Sequence, residues 1–383
     1  MNTVLVVGFW WSVATVAYIY AGYPLLVGIL SRLRPRSVSQ ASVNCSVSVV
    51  LAAHNEARRI VPRLNNLLSL HGAEAIREIL VGSDGSTDET PALVQTCTDP
   101  RVRLIAFPVR RGKAAVLNDL ISRCTGDVVL LTDARQEFAP DCLQALLANF
   151  ADPTVGVVSG ELVLRTTTTT TTAAAGIGSY WRYEKWIRRC ESRFRGVPGA
   201  TGACYALRRA FFRPIDENTL LDDVAIPMHI VCQGFRCVFE PAAIAWDDPA
   251  GTPAQEAIRK RRTIAGAVQL LRLYPQWLNP RCNPLWWEYV SHKVVRLTSP
   301  GWLMLALASN AALAAYPLYR VLFVAQLAFY AAAVCGWCYQ QMGRRSRLFG
   351  PFLMFLILNL TTIRALWDAL RSRYDVTWKK ALT

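Results

Sequence analysis

Acidic residues stand at three points of the sequence where an apolar run ends. Asp84, Asp133 and the pair Asp222-Asp223 each follow directly on such a run. Carboxylates at the carboxyl ends of buried parallel strands line the crevice in which α/β sheets bind ligands. A carboxylate there can take a proton from a hydroxyl or hold a cation beside a diphosphate. These positions predict an enzyme that handles a nucleotide.

Two short polar segments accompany these acids. Residues 110–113 read Arg-Arg-Gly-Lys and place cations and a backbone glycine at a predicted helix start, which suits a diphosphate. Gly85 directly follows Asp84 and permits a sharp turn, and Ser86 can cap the next helix. Taken alone, the basic segment favours a solvated helix start, and the segment after Asp84 fits a plain turn with a helix cap equally well.

Short apolar runs alternate with amphipathic stretches from residue 47 onward, which indicates βαβ units and a mainly parallel sheet. The predicted strands are Val47–Ala53, Ile79–Ser83, Val102–Phe107, Val128–Thr132 and Val155–Gly160. The predicted helices between them cover 57–70, 88–97, 113–123 and 140–150.

Apolar segments near both ends of the chain predict membrane helices. Residues 3–30 carry no charge and are long enough to span a bilayer, and the arginines that follow predict an uncleaved anchor with its N-terminus outside. Residues 299–341 predict a hairpin of two spans broken around Pro317. A weaker segment, 348–367, contains Asn359 and either crosses the membrane or lies in its interface. If it crosses, the basic tail lies outside.

The composition supports a membrane protein. Of 383 residues, 52% are hydrophobic and 18% are charged, and the net charge is +15. We attribute the positive charge to a lipid surface and an anionic ligand, because no zinc-finger or basic-zipper pattern indicates nucleic acid. The eleven scattered cysteines suit a reduced, cytosolic domain, and Cys335 and Cys338 lie in an apolar run as small fillers.

The chain divides into five predicted regions. These are an anchor (1–36), a cytoplasmic catalytic domain (45–265), an interfacial amphipathic segment (266–298), two or three transmembrane helices (299–367) and a basic tail (368–383). Two segments inside the catalytic domain stand apart. The threonine run Thr166–Thr172 predicts a mobile loop. Residues 176–195, rich in aromatic and basic side chains, fit either a core helix or an interfacial helix.

Taken in order and spacing, these motifs resemble family 2 glycosyltransferases, membrane-anchored inverting enzymes related to cellulose, hyaluronan and chitin-oligosaccharide synthases. The resemblance covers roughly residues 45–265, with one span before them and several after. It implies a GT-A fold, a Rossmann-like α/β sheet that holds a nucleoside-diphosphate sugar. The fold class expected is therefore α/β with N-terminal and C-terminal transmembrane helices.

The resemblance assigns donor binding to particular positions. The expected donor-nucleotide contacts are Ala53, Asn55, Glu56, Asp84, Lys113, Asp133 and Arg262. Asp84 would accept from the uracil N–H, and Lys113 would lie near the diphosphate. Asp133 takes the first place of the D-x-D motif, whose carboxylates hold Mg²⁺ or Mn²⁺. Arg135 replaces the second acid of this motif. Either Asp133 binds the metal together with ligands from elsewhere, or Arg135 itself supplies fixed positive charge. We favour the metal.

The resemblance also assigns the acceptor side. Gly202 and Ala203 match a loop of small residues that lets the acceptor approach, and Asp222 and Trp246 complete the expected acceptor contacts. Asp223 is the expected general base, which takes the proton of the attacking hydroxyl. Without the resemblance, the acidic pair also fits a helix N-terminus and the small-residue loop fits a packing turn.

The segment 259–263 lies where polymerising relatives carry Gln-x-x-Arg-Trp. Arg262 keeps the arginine, which can grip a diphosphate, but Thr263 replaces the tryptophan. This departure weighs against polymerising activity, and the basic run alone also fits a membrane-facing stripe.

The predicted function is transfer of a hexosyl or N-acetylhexosaminyl group from a UDP-sugar. The acceptor would be a saccharide or a polyprenyl-linked saccharide at the cytoplasmic face of the inner (plasma) membrane, in polysaccharide or glycolipid synthesis. The predicted partners are these ligands and the lipid bilayer, and a homo-oligomer is left open. The alternative is a non-catalytic polysaccharide-export scaffold with a degenerate transferase domain.

Overall fold

The computed structural model describes residues 2–165, 172–248, 253–342, 344, 346 and 348–371, without the side chains of 172–179, 253–257, 259 and 370. The mobile loop predicted at Thr166–Thr172 lies outside the described residues, apart from Thr172, where a helix begins. Most of the predicted basic tail and the side chain of Arg259 also lie outside them.

Eight strands of the described chain form one sheet, in the order β3-β2-β1-β4-β7-β6-β8-β5. They are β1 (Val47–Ala53), β2 (Ile76–Asp84), β3 (Val102–Phe107), β4 (Val128–Thr132), β5 (Glu137–Phe138), β6 (Val155–Leu164), β7 (Cys204–Arg208) and β8 (Arg236–Asp247). Each predicted strand is present, and β2 and β6 extend beyond their predicted ends.

The helices alternate with these strands and then continue alone towards the C-terminus. They are α1 (Thr3–Ala17), α2 (Tyr23–Leu33), α3 (Ala57–Leu68), α4 (Thr90–Gln95), α5 (Lys113–Ser122), α6 (Cys142–Ala148), α7 (Thr172–Phe194), α8 (Asp222–Cys232), α9 (Pro253–Leu273), α10 (Trp286–Glu288), α11 (Val295–Leu297), α12 (Ser299–Ala312), α13 (Pro317–Gln341) and α14 (Gly350–Leu370). A π-helical turn joins α1 to α2, and another joins α10 to α11.

The sheet is parallel on one side and mixed on the other. Strands β3, β2, β1 and β4 are parallel neighbours, as the βαβ pattern predicts. Strand β7 runs antiparallel to both β4 and β6, and β5 runs antiparallel to β8. The prediction of an α/β, Rossmann-like, mainly parallel sheet is confirmed, because six of the eight strands described run in one direction and only β7 and β5 run against them. Strand β7 runs the other way because α7 and the loop after it return the chain beside the middle of β6.

Both faces of the sheet are covered, so its central strands read as continuous apolar runs. Successive residues of β1 pack on opposite sides: Val49 and Leu51 face the core shared with α3 and α6, whereas Val50 faces the core shared with α5 and α8. The two cores hold the carboxyl ends of β1, β2 and β4 at one edge of the sheet.

Three helical segments of the described chain are long and apolar enough to cross a membrane: Thr3–Leu33, Pro317–Gln341 and Gly350–Ala369. The break predicted around Pro317 is present, since α12 ends at Ala312 and α13 begins at Pro317. Helix α12 has 14 residues, fewer than the roughly 20 that a span needs. Whether the first member of the predicted hairpin crosses the membrane stays a prediction.

The last apolar helix ends against the catalytic domain. Asp368 of α14 forms an ion pair with Arg261 of α9, and Arg272 of α9 donates to the Ala369 carbonyl at 3.4 Å. Helix α9 also runs through the predicted boundary at residue 265, so the structure places no break there. The C-terminal end of α14 therefore packs against α9 of the sheet domain. Whether α14 crosses the membrane stays a prediction.

Candidate active site

The carboxyl ends of β1, β2 and β4 meet the start of α5 around a crevice of about 570 Å³. It is lined by Ala52, Ala53, His54, Glu56, Asp84, Arg110, Gly112, Lys113, Asp133, Ala134 and Arg135. Five of the seven predicted donor-nucleotide positions are in this lining. The other two are close by. Asn55 stands between the lining residues His54 and Glu56 in the sequence, and Arg262 lies near Asp133 in space.

Asp84 holds the loop that leads into α5. Its Oδ1 accepts from the backbone N–H of Arg111 at 2.6 Å, and its Oδ2 accepts from that of Gly112 at 2.9 Å. The next residue, Gly85, has φ +59°, and a Cβ there would lie 2.6 Å from the Arg110 nitrogen. The close approach requires glycine and sets the cationic loop directly beside the end of β2. The contact of Asp84 with a nucleoside stays a prediction.

Asn55 joins the loop after β1 to the loop after β2. Its Oδ1 accepts from the Thr87 backbone N–H at 2.8 Å, and its own N–H donates to Ser86 Oγ at 3.2 Å. Asn55 has φ +53°, a left-handed conformation that asparagine tolerates better than most residues. Its neighbour Glu56 lines the crevice and lies 3.4 Å from Arg59. The two loops therefore form one wall of the crevice.

Lys113 connects the donor-side acid to the acceptor-side acids. Its Nζ lies 3.0 Å from Asp133 Oδ1 and 3.2 Å from Asp222 Oδ2. Burial lowers the pKa of Lys113, but the two carboxylates outweigh this effect and hold that pKa above its usual range. Burial raises the pKa of Asp133, whereas Lys113 and Arg135 lower it to a net value below normal. Both groups are therefore charged at neutral pH.

Asp223 differs from the other acids of the site. Burial and the neighbouring charge of Asp222 raise its pKa to about 6, from an ordinary value of 3.8. Its Oδ2 accepts from the Gly202 backbone N–H at 3.2 Å, and a Cβ on Gly202 would lie 2.9 Å from that oxygen. The small-residue loop thus packs directly on the predicted base. A pKa near neutrality suits a general base, which must accept a proton and still be ionised.

The acidic pair also begins a helix. Asp222 and Asp223 are the first two residues of α8, where negative charge complements the helix dipole. The interpretation as a helix start is therefore correct, and it is compatible with the other one, because the helix start aims the two carboxylates into the site. The role of Asp223 as a base stays a prediction.

Arg262 of α9 lies close to the same acids. Burial lowers the pKa of its guanidinium, while the charges of Asp222, Asp223 and Asp133 act in the opposite direction. Helix α9 thus brings Arg262 close to the acidic cluster. That position is compatible with a donor contact, which stays a prediction.

Trp246 does not join the site. It is paired in the sheet with Glu137 and Val163, and the guanidinium of Arg165 lies 5.6 Å from its ring centroid. The next residue, Asp247, instead contacts Arg135 at 3.2 Å. Successive side chains of a strand point to opposite faces, so the register of β8 turns Trp246 away. The prediction of Trp246 as an acceptor surface therefore lacks a contact in this structure.

Comparison with known proteins agrees with this arrangement. Residues 48–215 match the family described as glycosyl transferase family 2. Over these residues the chain matches a family 2 glycosyltransferase domain. Within its matched region lie the crevice, Lys113 and Asp133, while Asp223 lies just beyond it.

The relatives of the family 2 domain include enzymes of polysaccharide synthesis. The chain is 25% identical over 205 residues to poly-beta-1,6-N-acetyl-D-glucosamine synthase of Staphylococcus aureus (strain COL). The matched region covers 52% of this chain and 49% of the relative. The synthase of Staphylococcus epidermidis is 23% identical over the same length. The chain thus spans about half the length of the curated relatives it matches.

A solved mannosyltransferase of Pyrobaculum calidifontis, in complex with GDP-Man and Mn²⁺, has the same fold. The two chains superpose with a TM-score of 0.72 at 22% sequence identity. The superposition covers 95% of this chain and 99% of the mannosyltransferase chain. This likeness confirms the GT-A fold for the family 2 domain, and it extends over the apolar helices as well as the sheet.

The expected metal site has few ligands. Arg135 pairs with Asp247 at 3.2 Å, and Asp133 is already paired with Lys113. Within the described ranges, no group of three or more His, Cys, Asp and Glu side chains is placed to hold a metal ion. Hard divalent cations take six or more oxygen ligands, and this donor set supplies one carboxylate that a lysine already holds. The residues present therefore do not form a protein-built metal centre.

Two arginines of the crevice lie outside the predicted set of donor contacts, although Arg135 is the alternative source of positive charge beside Asp133. Arg110 Nη2 and Arg135 Nε are buried nitrogens for which the described residues supply no hydrogen-bond partner. A buried donor without a partner is costly, and an anionic ligand would satisfy it. Arg110 stands in the basic run that the sequence already associates with a diphosphate, but only the loop geometry aims its side chain inward.

Proposed function

We propose that this chain is an inverting glycosyltransferase that uses a nucleoside-diphosphate sugar, of the UDP class, to extend a saccharide or a lipid-linked saccharide. The observation that carries the proposal is the position of Asp223. Its carboxylate, with a pKa of about 6, stands beside Asp222, which shares Lys113 with Asp133 at the donor crevice. A proton acceptor and a cationic leaving-group site are thereby adjacent.

The cations of the crevice suit the diphosphate of the donor. Arg110 and Arg135 each present a buried nitrogen that needs an acceptor, and Lys113 adds a charged ammonium. Charged hydrogen bonds to phosphate oxygens are roughly twice as strong as neutral ones. We assign these three side chains, with Arg262 from α9, to neutralise the charge that builds on the departing nucleotide.

The reaction needs few further groups. The acceptor hydroxyl attacks the anomeric carbon while Asp223 takes its proton, and the bond to the diphosphate breaks on the opposite side, which inverts the configuration. Gly202 and Ala203 leave room for the acceptor beside Asp223, since no side chain larger than methyl projects from them. Asp222 keeps Lys113 in place between donor and acceptor.

The choice of sugar and of membrane face also belongs to this proposal. The named relatives make a polymer of N-acetylglucosamine, and we take N-acetylhexosamine and hexose donors as the candidates. The proposed side for the catalytic domain is the cytoplasmic one; the arginines that follow the first apolar helix support it. If a Mg²⁺ or Mn²⁺ ion binds with the donor, Asp133 would be its proposed ligand and the ion would supply positive charge beside the diphosphate; a solved neighbour is a complex with Mn²⁺.

The alternative is a scaffold without transferase activity, which Arg135 and the absent Gln-x-x-Arg-Trp motif suggest. A degenerate site has no reason to retain a base with a raised pKa beside a lysine bridge, so we favour the enzyme.

The test is nucleotide release by the purified full chain. UDP-N-acetylglucosamine, UDP-glucose and GDP-mannose would each be offered with short saccharide acceptors, with Mn²⁺ or with EDTA, and the products sized. We expect release with a UDP-sugar that depends on Asp223 and is lost in Asp223→Asn. No release with any donor would support the scaffold instead, and equal release in EDTA would remove the metal from Asp133.

A further inference from the structure

Arg63 of α3 is a cation buried inside the sheet domain. Only 3% of its surface is exposed, and its guanidinium carbon lies 4.0 Å from the ring centroid of Phe138. Burial lowers the pKa of this guanidinium to about 10, so it stays charged at neutral pH. A charge is costly to bury, and an apolar side chain would fill the same space without that cost. Packing alone therefore does not account for Arg63.

The hydrogen bonds of Arg63 go to neutral groups. Its Nη1 donates to Asn66 Oδ1 at 2.5 Å, and its Nη2 donates to Thr132 Oγ1 at 2.6 Å. The described residues supply no hydrogen-bond partner for its Nε, which is also buried. Neutral partners do not compensate the charge of a guanidinium, so these bonds do not make Arg63 a member of an ordinary buried ion pair.

Thr132 connects Arg63 to the acceptor side of the site. Its hydroxyl accepts from Arg63 and donates to the Ala203 carbonyl at 2.8 Å. An arginine can only donate and a carbonyl can only accept, so the orientation of this hydroxyl is fixed. Thr132 is the last residue of β4 and is paired with Cys204, the first residue of β7. The hydrogen-bonded series therefore lies where one strand ends and the other begins.

Both sides of the proposed reaction are next to this series. Asp133, at the donor crevice, is the residue after Thr132. Gly202, which donates to Asp223 Oδ2 at 3.2 Å, is the residue before Ala203. A shift of the end of β4 relative to the small-residue loop would thus change the distance between the donor and the base.

We propose that Arg63 is a positioning residue for sugar transfer. Through Thr132 it holds the end of β4 at a fixed position relative to the loop that contacts Asp223. Arg63 itself lies behind the donor crevice and does not line it. The inference rests on the proposed function, because it requires that donor and acceptor meet between Asp133 and Asp223. Misplacing reacting groups by about 1 Å can slow a reaction about a hundredfold, so the effect should appear in kcat.

The first test compares variants of Thr132 and Arg63 in the detergent-solubilised full chain. Thr132→Val keeps the shape of the side chain but removes the hydroxyl, whereas Thr132→Ser keeps the hydroxyl. We expect Thr132→Val and Arg63→Met each to lower kcat for nucleotide release by about tenfold or more with little change in donor KM. Thr132→Ser should keep most of the activity. The two losses should not add in the double variant, because both changes break the same series.

A second measurement does not require turnover. Hydrogen exchange of the backbone of residues 199–203, followed by mass spectrometry in the chain saturated with UDP, should become about fivefold faster or more in Thr132→Val and Arg63→Met. Calorimetry should show unchanged UDP affinity in each variant, which checks that it is folded. If Arg63→Met does not fold, the comparison of Thr132→Val with Thr132→Ser still decides the matter.

The matched control is Arg58→Met, which removes an exposed arginine from the same helix and should change neither the exchange nor kcat. Unchanged exchange in Thr132→Val would overturn the proposal. So would faster exchange with unchanged kcat, because the series would then be structural only, and so would fully additive losses in the double variant. Faster exchange in a chain that releases nucleotide from no donor would instead refute the transferase and leave the link between Arg63 and the loop standing.

Discussion

Substitution of the proposed base should abolish transfer and yet stabilise the protein. In Asp223→Asn the amide keeps an oxygen that can accept from the Gly202 N–H, which is now 3.2 Å from Asp223 Oδ2. It removes a charge that burial and Asp222 disfavour. The folded state raises the pKa of Asp223 from 3.8 to about 6, and at about 1.4 kcal/mol per pKa unit this corresponds to a penalty of about 3 kcal/mol for the ionised form.

The sign of this effect depends on pH. Because the folded pKa is the higher one, the folded chain holds the proton more tightly than the unfolded chain does. Below about pH 4 both states are protonated and the penalty is absent. It grows from about pH 4, where the unfolded carboxyl ionises, to about pH 6, where the folded one does, and is complete above that value. Asp223→Asn should therefore raise the free energy of unfolding by up to about 3 kcal/mol at pH 7.5 and by almost nothing at pH 4.

The assay combines thermal unfolding at both pH values with nucleotide release. A gain of about 3 kcal/mol corresponds to a rise of roughly 5–10 °C in Tm for a domain of this size. In the unmodified enzyme, kcat/KM should fall about tenfold per pH unit below pH 6, as the base becomes protonated. The control is Asp141→Asn, an acid with 76% exposure whose charge contacts His71 at the surface.

Two results would refute this reasoning. Transfer that survives in Asp223→Asn would remove the residue as the base. A Tm that changes equally at pH 4 and pH 7.5 would show that the carboxylate is not held in an unfavourable ionised state.

Three other substitutions examine the rest of the site. Asp222→Asn removes the neighbouring charge that raises the pKa of Asp223, so the acid limb of kcat/KM against pH should move to lower pH; an unmoved limb would contradict the coupling. Lys113→Gln leaves its two carboxylate partners facing each other and should lower the free energy of unfolding by about 3 kcal/mol in urea denaturation, whereas no change would mean that the bridge is not formed. Arg110→Gln should raise the donor KM by about tenfold, and Arg103→Gln, on the exposed side of β3, should not; equal effects would point to general charge.

Much of the fold could be predicted because the periodicity of the sequence is local. Strands β1, β3 and β4 begin and end at the predicted residues, since each is a short apolar run bounded by polar residues. The antiparallel insertion of β7 could not be predicted. It depends on where α7 and the loop after it return the chain, and a five-residue apolar strand carries no sign of its direction.

The positions of the site residues could also be predicted in part. Asp84 and Asp133 could be located because strand ends are visible in the sequence, and Asp223 because of the resemblance to family 2 enzymes. The direction in which each side chain points could not be predicted from the sequence. Trp246 and Asp247 are adjacent, and only the register of β8 decides which of them contacts Arg135.

The sequence by itself determined the strand ends that carry the acids, the apolar segments at both ends of the chain and the family of the domain. Each of these is written in residue types at short spacing. Only the tertiary structure decided that Lys113 bridges Asp133 and Asp222, and that Asp222 and burial together bring the pKa of Asp223 to about 6. The bridge brings Lys113 to Asp222, more than a hundred positions later in the sequence, and the pKa depends on burial of the acidic pair. Electrostatic interactions follow distance in space rather than in sequence.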